Sequence, residues 1–144
     1  MKELLERLST EIRPLNYVVQ RNWENLPDDF RFHGHFDLDL FVSEEDKPAL
    51  EKILLKYPEI PVDVRSASDD YYPASIAEVF LTNRREYGGF WIPCAPAAFV
   101  AIYYHSVFHK KDNPYADRLK KLFAEVFPPV KAKDPGVGFY YDPD

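Results

Sequence analysis

The most constraining segment of the chain is an apolar run, residues 35–42, that contains two carboxylates, Asp37 and Asp39. The alternation of apolar and acidic residues predicts a β-strand, in which successive side chains point to opposite faces. The two aspartates then share one face, with Cβ atoms roughly 6–7 Å apart, while Phe36 and Leu38 point towards a core. Carboxylates this close repel each other, and a divalent cation relieves the repulsion. We therefore expect a Mg²⁺ or Mn²⁺ site of the kind that also holds phosphate groups.

Length and composition indicate a single folded domain spanning residues 1–144, of which 46% are hydrophobic. The formal net charge of −6 argues against general nucleic-acid binding, which uses a basic surface. The single cysteine, Cys94, has no partner for an internal disulfide, which is typical of a reduced, cytoplasmic protein. No apolar run approaches the roughly 20 residues of a membrane-spanning helix, so we expect no membrane contact.

The spacing of apolar residues predicts an α/β (α+β) fold with the element order α-β-β-α-β-α-β-α-α. The expected helices are 2–12, 43–57, 75–84, 95–110 and 113–127, and the expected strands are 16–20, 35–42, 60–65 and 90–92. Gly88 and Gly89 mark a turn before the last strand, and Arg84 and Arg85 are expected at the end of the third helix. The order predicts a mixed β-sheet flanked by helices, with a helical pair at the C-terminal end.

A third acid, Asp63, lies in the strand expected at 60–65 and faces away from the core there. If that strand pairs beside 35–42, three carboxylates converge on one sheet face. Asp37 and Asp39 are then expected to bind the metal, and Asp63 to complete the metal site or to accept a proton from an attacking hydroxyl. The alternative is a solvent-facing acidic edge strand, whose charges prevent pairing with another chain.

Two arginines are expected near these acids. Arg65 follows Asp63 by two positions and so shares its face, and Arg21 follows the first expected strand. Each is either a guanidinium clamp for a phosphate or an ion-pair partner that neutralises the acids without a metal. His33 and His35 flank Gly34 just before the acidic strand, where a loop role is expected rather than metal binding.

A second pair of histidines, His105 and His109, is spaced for one face of a helix. One hypothesis places His105 in the lining of a substrate pocket, with Lys110 as a phosphate contact. The alternatives are a structural role and a zinc site. The zinc hypothesis is the weaker, because position 106 is Ser where zinc-protease motifs carry Glu.

The segment GHFDLDLFV at residues 34–42, followed by a helix and then VDV at residues 62–64, resembles the nucleotidyltransferase (polymerase-beta-like) superfamily, in a small, minimal subgroup. That superfamily pairs an acid–hydrophobe–acid strand with a third acid on a neighbouring strand. The resemblance covers roughly residues 15–66. It implies a mixed sheet with helices packed on it, Mg²⁺ or Mn²⁺ as cofactor, and Asp37, Asp39 and Asp63 as the site acids.

The chain departs from the superfamily pattern after its first expected strand. A Gly-Ser pair normally stands there and opens a helix that holds the triphosphate, whereas this chain has Arg21 and Asn22. Arg21 supplies a charged donor and Asn22 a short amide, and both are expected to contact phosphate. Because backbone geometry made for glycine suits few other residues, the departure indicates either a different phosphorylated donor or a loss of catalysis.

Two classes of function remain open. The first is an enzyme that transfers a nucleotidyl or phosphoryl group from a nucleotide or sugar phosphate to a small hydroxyl acceptor, such as a sugar in polysaccharide metabolism. The second is a catalytically silent module with the same fold that binds a nucleotide, a sugar phosphate or a partner protein. A toxin–antitoxin-type protein that modifies RNA or a protein partner is a third reading, and the acidic pI of about 5.2 weighs against RNA.

Overall fold

The computed structural model describes residues 1–32, 34–109 and 116–126. Within these ranges the chain is a mixed α+β protein with five α-helices and two small β-sheets. The elements in chain order are α1 (Lys2–Ile12), β1 (Tyr17–Val19), β2 (Leu38–Val42), α2 (Lys47–Leu54), β3 (Val62–Arg65), a 3₁₀ turn (Ala67–Asp69), α3 (Ala74–Thr82), β4 (Arg84–Tyr87), β5 (Phe90–Pro93), α4 (Ala95–His109) and α5 (Ala116–Val126).

The larger sheet is mixed and has the strand order β1-β2-β3. β1 runs antiparallel to β2, with Val19 opposite Leu40. β2 and β3 run parallel, joined by the crossover helix α2, and Asp39 is the register partner of Asp63. The expected pairing of the two acidic strands is therefore confirmed. The expected mixed sheet is present with three strands, whereas the last expected strand, β5, belongs to a separate sheet with β4.

One face of this sheet forms the main core. Apolar residues of β1 and β2 pack there against α1 and α2, and the fully buried members include Leu5, Leu8, Ile12, Tyr17, Val19, Leu38, Leu40, Val42 and Leu50. Their spacing in α1 is the helical spacing seen in the sequence, and in β2 it is the alternation of a strand. The hydrophobic pattern of residues 2–12 and 38–42 thus sets which sides of these elements face inward.

The opposite face carries the acids and is partly covered by aromatic residues. Val18 and Phe41 on this face pack with Tyr72, Phe80 and Ala101, which come from the segment before α3, from α3 and from α4. Phe41 stacks on Phe80 with ring centroids 5.7 Å apart. This second, smaller core fixes α3 and α4 over the sheet face that also bears Asp39.

The second sheet is a hairpin, and it corrects one expectation. Arg84 and Arg85 lie at the start of strand β4 and not at the end of a helix, since α3 ends at Thr82. The guanidinium of Arg84 donates to the carbonyl oxygens of Leu15 and Tyr17, each at 3.2 Å. The hairpin turns at Gly88 and Gly89, both with positive φ, as a tight two-residue connection requires.

The acidic strand is shorter than expected and begins at Leu38. Phe36 consequently lies outside the strand alternation and is 70% exposed, so its expected core position is wrong. Helix α2 begins at Lys47 rather than after Ser43. Asp46 occupies the N-cap position, and its carboxylate accepts the backbone N–H of Asn16 at 2.7 Å.

A search of the described residues for a helix with the length and apolar character needed to cross a bilayer finds none.

Candidate functional site

Three carboxylates gather on one side of the mixed sheet. Asp39 projects from β2 on the face of Phe41, and Asp63 is its register partner on β3. The carboxylate of Asp37, just before β2, lies within 4.8 Å of that of Asp39. The structure therefore brings together the three acids that the sequence singled out, and none of them points into the main core.

His35, for which a loop role was expected rather than metal binding, lies beside a turn and also close to these acids. A nitrogen of its imidazole and one oxygen each of Asp37 and Asp39 all lie within 4.8 Å of one another. The backbones of Phe32 and His35 exchange two hydrogen bonds around a turn, and Gly34 adopts a φ of +82° in that turn. The signal in the sequence was a histidine two positions before the first acid. Because β2 begins only at Leu38, strand alternation does not extend to His35, and the turn places it.

The Asp39 carboxylate is strongly affected by its surroundings. Its side chain is 4% exposed, and burial raises its pKa from the ordinary value of 3.8 to about 6. The nearby guanidinium of Arg21 acts in the opposite direction, and the charges of Asp37 and Asp63 add to the upward shift. A buried acid crowded by two others is unusual in a purely structural position and is typical of functional sites.

Arg21 reaches the acids from the end of β1. Its Nε lies 3.2 Å from Oδ2 of Asp39. Its Nη1 donates to the hydroxyl of Tyr72 at 3.3 Å and lies 3.4 Å from Nδ1 of His105. The guanidinium is thus held between the sheet and the aromatic cover, and the sequence prediction that Arg21 lies near the acids is confirmed.

His105 belongs to the same network, through Tyr71. The Tyr71 hydroxyl lies 2.6 Å from Nδ1 of His105, and burial raises the pKa of Tyr71 so that this hydroxyl remains protonated. Because a guanidinium N–H can only donate, Nδ1 facing both Arg21 and Tyr71 acts as the acceptor. His105 is buried in α4 and so supports Arg21 from the side opposite the sheet.

Arg65 forms a second acid–guanidinium pair at the more open edge of the site. Its Nε donates to Oδ2 of Asp63 at 3.2 Å, and its guanidinium lies over the ring of Tyr71 at 5.0 Å. Both side chains of the pair remain more than a third exposed. Asp63 and Arg65 are therefore more accessible from solvent than Asp39 and Arg21.

Asn22 follows Arg21 in the turn after β1. It has a left-handed backbone with φ of +61°, a conformation that asparagine tolerates better than most residues. Its Oδ1 accepts a 2.8 Å hydrogen bond from Arg118 of α5. Arg118 also pairs with Glu24 and lies over the rings of Trp23 and Phe32 at 5.5 Å. The turn after β1 thus has a glycine-like backbone and is held by a helix from the end of the chain.

Some expected site residues lie outside the described part of the chain. They are Lys110, His33 and the side chain of His109.

Of the described surface, a shallow depression of about 540 Å³ lies along α1, lined by Glu3, Glu6, Arg7, Thr10 and Glu11. Since α1 packs against the opposite sheet face, this depression is separate from the acids.

Comparisons with protein-family models, with curated proteins and with solved structures find no match to this chain. Function is therefore inferred from the geometry of the site and from the chemistry of its residues.

The group formed by His35, Asp37 and Asp39 fits a divalent cation. With metal–oxygen distances of roughly 2.1 Å, the ligand atoms around one octahedral ion lie about 3–4 Å apart, so small side-chain movements bring the three together. The two carboxylates suit Mg²⁺ or Mn²⁺, whereas an imidazole ligand favours Mn²⁺ over Mg²⁺, which takes oxygen ligands. Asp63, paired with Arg65, lies beside this group rather than within it.

Proposed function

We propose that the protein is a nucleotidyltransferase-like enzyme that transfers a phosphoryl or nucleotidyl group, with the help of a divalent cation, to a hydroxyl group of a small acceptor such as a sugar. The observation that carries the proposal is the meeting of Asp37, Asp39 and Asp63 with two guanidiniums, Arg21 and Arg65, on one sheet face. Carboxylates suit a hard cation, and guanidiniums suit phosphate oxygens.

The residues divide into three roles. His35, Asp37 and Asp39 hold the cation, which when bound neutralises phosphate charge and aligns the reacting oxygens. Arg21 and Arg65 bind the phosphate oxygens of the donor. Asp63 accepts the proton of the acceptor hydroxyl as the hydroxyl oxygen forms a bond to phosphorus. With a nucleoside triphosphate as donor, the bond from phosphorus to the leaving group breaks with its electron pair and releases a nucleoside diphosphate in phosphoryl transfer or pyrophosphate in nucleotidyl transfer.

The exposure of the two acids on neighbouring strands supports this division. Asp39 is almost fully buried and lies within the cation group, whereas the Asp63 side chain is 37% exposed. An acid that exchanges protons with an incoming acceptor needs access to that acceptor. Lys110 stays a predicted phosphate contact, since it lies outside the described residues.

A second candidate function is supported by the same ion pairs. Arg21 contacts Asp39 at 3.2 Å and Arg65 contacts Asp63 at 3.2 Å, so the guanidiniums neutralise two of the acids without a metal. A protein that has lost catalysis and retains a phosphate-binding surface would have these pairs. In that case the site binds a nucleotide, a sugar phosphate or a protein partner and gains nothing from a cation.

Thermal unfolding with and without Mn²⁺ separates the two candidates. We expect Mn²⁺ with a nucleoside triphosphate or a sugar nucleotide to raise the melting temperature of the wild type by about 5 °C or more at ligand concentrations well above Kd. Asp37→Asn should lose the Mn²⁺-dependent part of this shift. Glu45→Gln, which removes an exposed acid outside the site, is the matched control and should retain the shift.

A rise in melting temperature that a ligand causes equally with and without Mn²⁺ would support the catalytically silent binding module. The enzyme proposal is wrong if no cation, nucleotide or sugar nucleotide raises the melting temperature of the wild type. It is also wrong if Asp37→Asn shows the same Mn²⁺-dependent rise in melting temperature as the wild type.

A further inference from the structure

Arg21 and a bound cation compete for the same carboxylate. Asp39 contributes an oxygen to the group that fits a cation, and Oδ2 of that carboxylate already lies 3.2 Å from Arg21. Both side chains are more than nine-tenths buried. A guanidinium and a divalent cation that shared one buried carboxylate would repel each other strongly, because little water is present to screen their charges.

The contact with Asp39 is one of several that Arg21 makes. Its Nε lies 3.2 Å from Oδ2 of Asp39, close enough for an ion pair. Arg21 has further contacts on its other side, with Tyr72 and His105. These contacts allow the guanidinium to stay in the site while its partner at Asp39 is replaced.

The charges in the site indicate which group can replace Asp39 as the partner of Arg21. Among the described residues, the carboxylates of Asp37, Asp39 and Asp63 lie near the guanidiniums of Arg21 and Arg65, which leaves one negative charge in excess. A divalent cation reverses that balance, and the dianionic phosphate group of a ligand restores it. A phosphate group also offers the guanidinium two oxygens for a bidentate, charge-assisted contact.

We infer that Arg21 couples cation binding to phosphate binding. The phosphate group draws the guanidinium from Asp39, and the released carboxylate becomes available to the cation. The inference rests on the proposed function, because it takes the group of His35, Asp37 and Asp39 as the cation site. It adds that each ligand binds weakly alone and that, by linkage, each raises the affinity for the other by the same factor.

The test measures Mn²⁺ binding through the electron paramagnetic resonance signal of the free ion. Wild-type protein is titrated with and without inorganic phosphate, at a pH well above the pKa of Asp39. A protein-free titration corrects for association of Mn²⁺ with phosphate in solution. We expect phosphate to tighten Mn²⁺ binding by about tenfold or more, within the usual range of coupling between two sites.

Two variants locate the coupling. Arg21→Gln removes the competing charge, so Mn²⁺ should bind more tightly than to the wild type without phosphate, and phosphate should change its affinity less than twofold. Arg13→Gln is the matched control, since Arg13 pairs with Glu86 at the protein surface, away from the acids. This control should retain the full coupling of the wild type.

The possible results separate a failure of the proposed cation site from a failure of the coupling through Arg21. If wild type and Arg21→Gln both fail to bind Mn²⁺ with or without phosphate, the cation site and the proposed function fall together. If wild type binds Mn²⁺ equally with and without phosphate, the cation site stands and the coupling is refuted. That second result needs no variant, so the inference remains testable even if Arg21→Gln does not fold.

Discussion

Asp39 and Asp63 illustrate how position decides the behaviour of two identical residues. They are register partners on neighbouring strands and face the same way. Asp39 lies under the aromatic cover beside Arg21, and burial raises its pKa to about 6. The side chain of Asp63 lies at the open edge and is 37% exposed. One acid is therefore costly to keep ionised in the fold, and the other is hydrated.

This cost gives a stability prediction for Asp39→Asn in metal-free buffer. Because the pKa of Asp39 is higher in the folded state than in the unfolded chain, the folded state binds more protons between the two values. Stability is then lost as pH rises from about 4 to 6. Asparagine cannot ionise, so at neutral pH the variant should be more stable than wild type by about 1–3 kcal/mol. Urea unfolding across this pH range measures the difference, which should disappear at the acidic end.

Asp29→Asn is the control with the opposite sign. Hydrogen bonds from Arg31 hold the pKa of Asp29 below its ordinary value, so its ionised form stabilises the fold. The variant should be less stable than wild type at neutral pH and equal to it in acid. A loss of stability in Asp39→Asn at neutral pH would mean that the ion pair with Arg21 outweighs the burial of the carboxylate.

The sequence located the acids of the site because one local rule decides their direction. Residues two apart in a strand share a face, so Asp39 was expected to face away from the core with Asp37, and Asp63 to join them. The same rule does not predict the position of His35, because the turn at Gly34 brings its side chain close to Asp37 and Asp39. The sequence also left two roles open for Arg21, since its contacts with Asp39 and His105 join residues far apart in the chain.

Among the elements, those with an apolar periodicity were predictable and those without it were not. Helix α1 lies where the spacing of Leu5, Leu8 and Ile12 placed it. Strand β4 was missed because its residues, Arg84–Tyr87, are mostly polar and half-buried or exposed. Its existence depends on pairing with β5 across the glycine turn, and such pairing carries little signal in a single polar segment.

The same turn provides a prediction at the scale of an element. Gly88 has a φ of +56°, and a Cβ added there would lie 2.6 Å from the carbonyl oxygen of Leu26 and 2.9 Å from Cδ of Pro27. Gly88→Ala should therefore destabilise the protein by about 2 kcal/mol or more, through backbone strain and a clash with the loop after β1. Urea unfolding measures this loss.

Gly34→Ala is the matched control for that substitution. Gly34 also has a positive φ, of +82°, but no atom lies within 4 Å of the added Cβ. Its cost should be limited to the strain of the left-handed backbone, about 1 kcal/mol. Equal losses in the two variants would show that the hairpin turn does not press on Leu26.

At the scale of the whole molecule, both helices of the C-terminal pair reach the site region. His105 of α4 contacts Arg21, and Arg118 of α5 contacts the turn after β1. Helix α5 packs on α4 through Phe123 and Phe99, with ring centroids 5.7 Å apart. From this position Arg118 reaches the turn after β1, where it contacts Asn22 and Glu24. The turn that carries Arg21 is thus held by residues roughly a hundred positions later in the chain.

This long-range connection predicts a specific effect of Arg118→Ala. The substitution leaves Glu24 without its ion pair and Asn22 without its 2.8 Å hydrogen bond, so stability should fall by about 1–3 kcal/mol. Amide hydrogen exchange should accelerate in residues 21–26 more than in α1, because the turn loses its support while the main core stays packed. Lys120→Ala, an exposed position on the same helix, should change neither quantity. If amide exchange instead becomes faster evenly over the described residues, Arg118 has a general packing role. If exchange in the turn does not change, β1 and β2 hold Arg21 in place without α5.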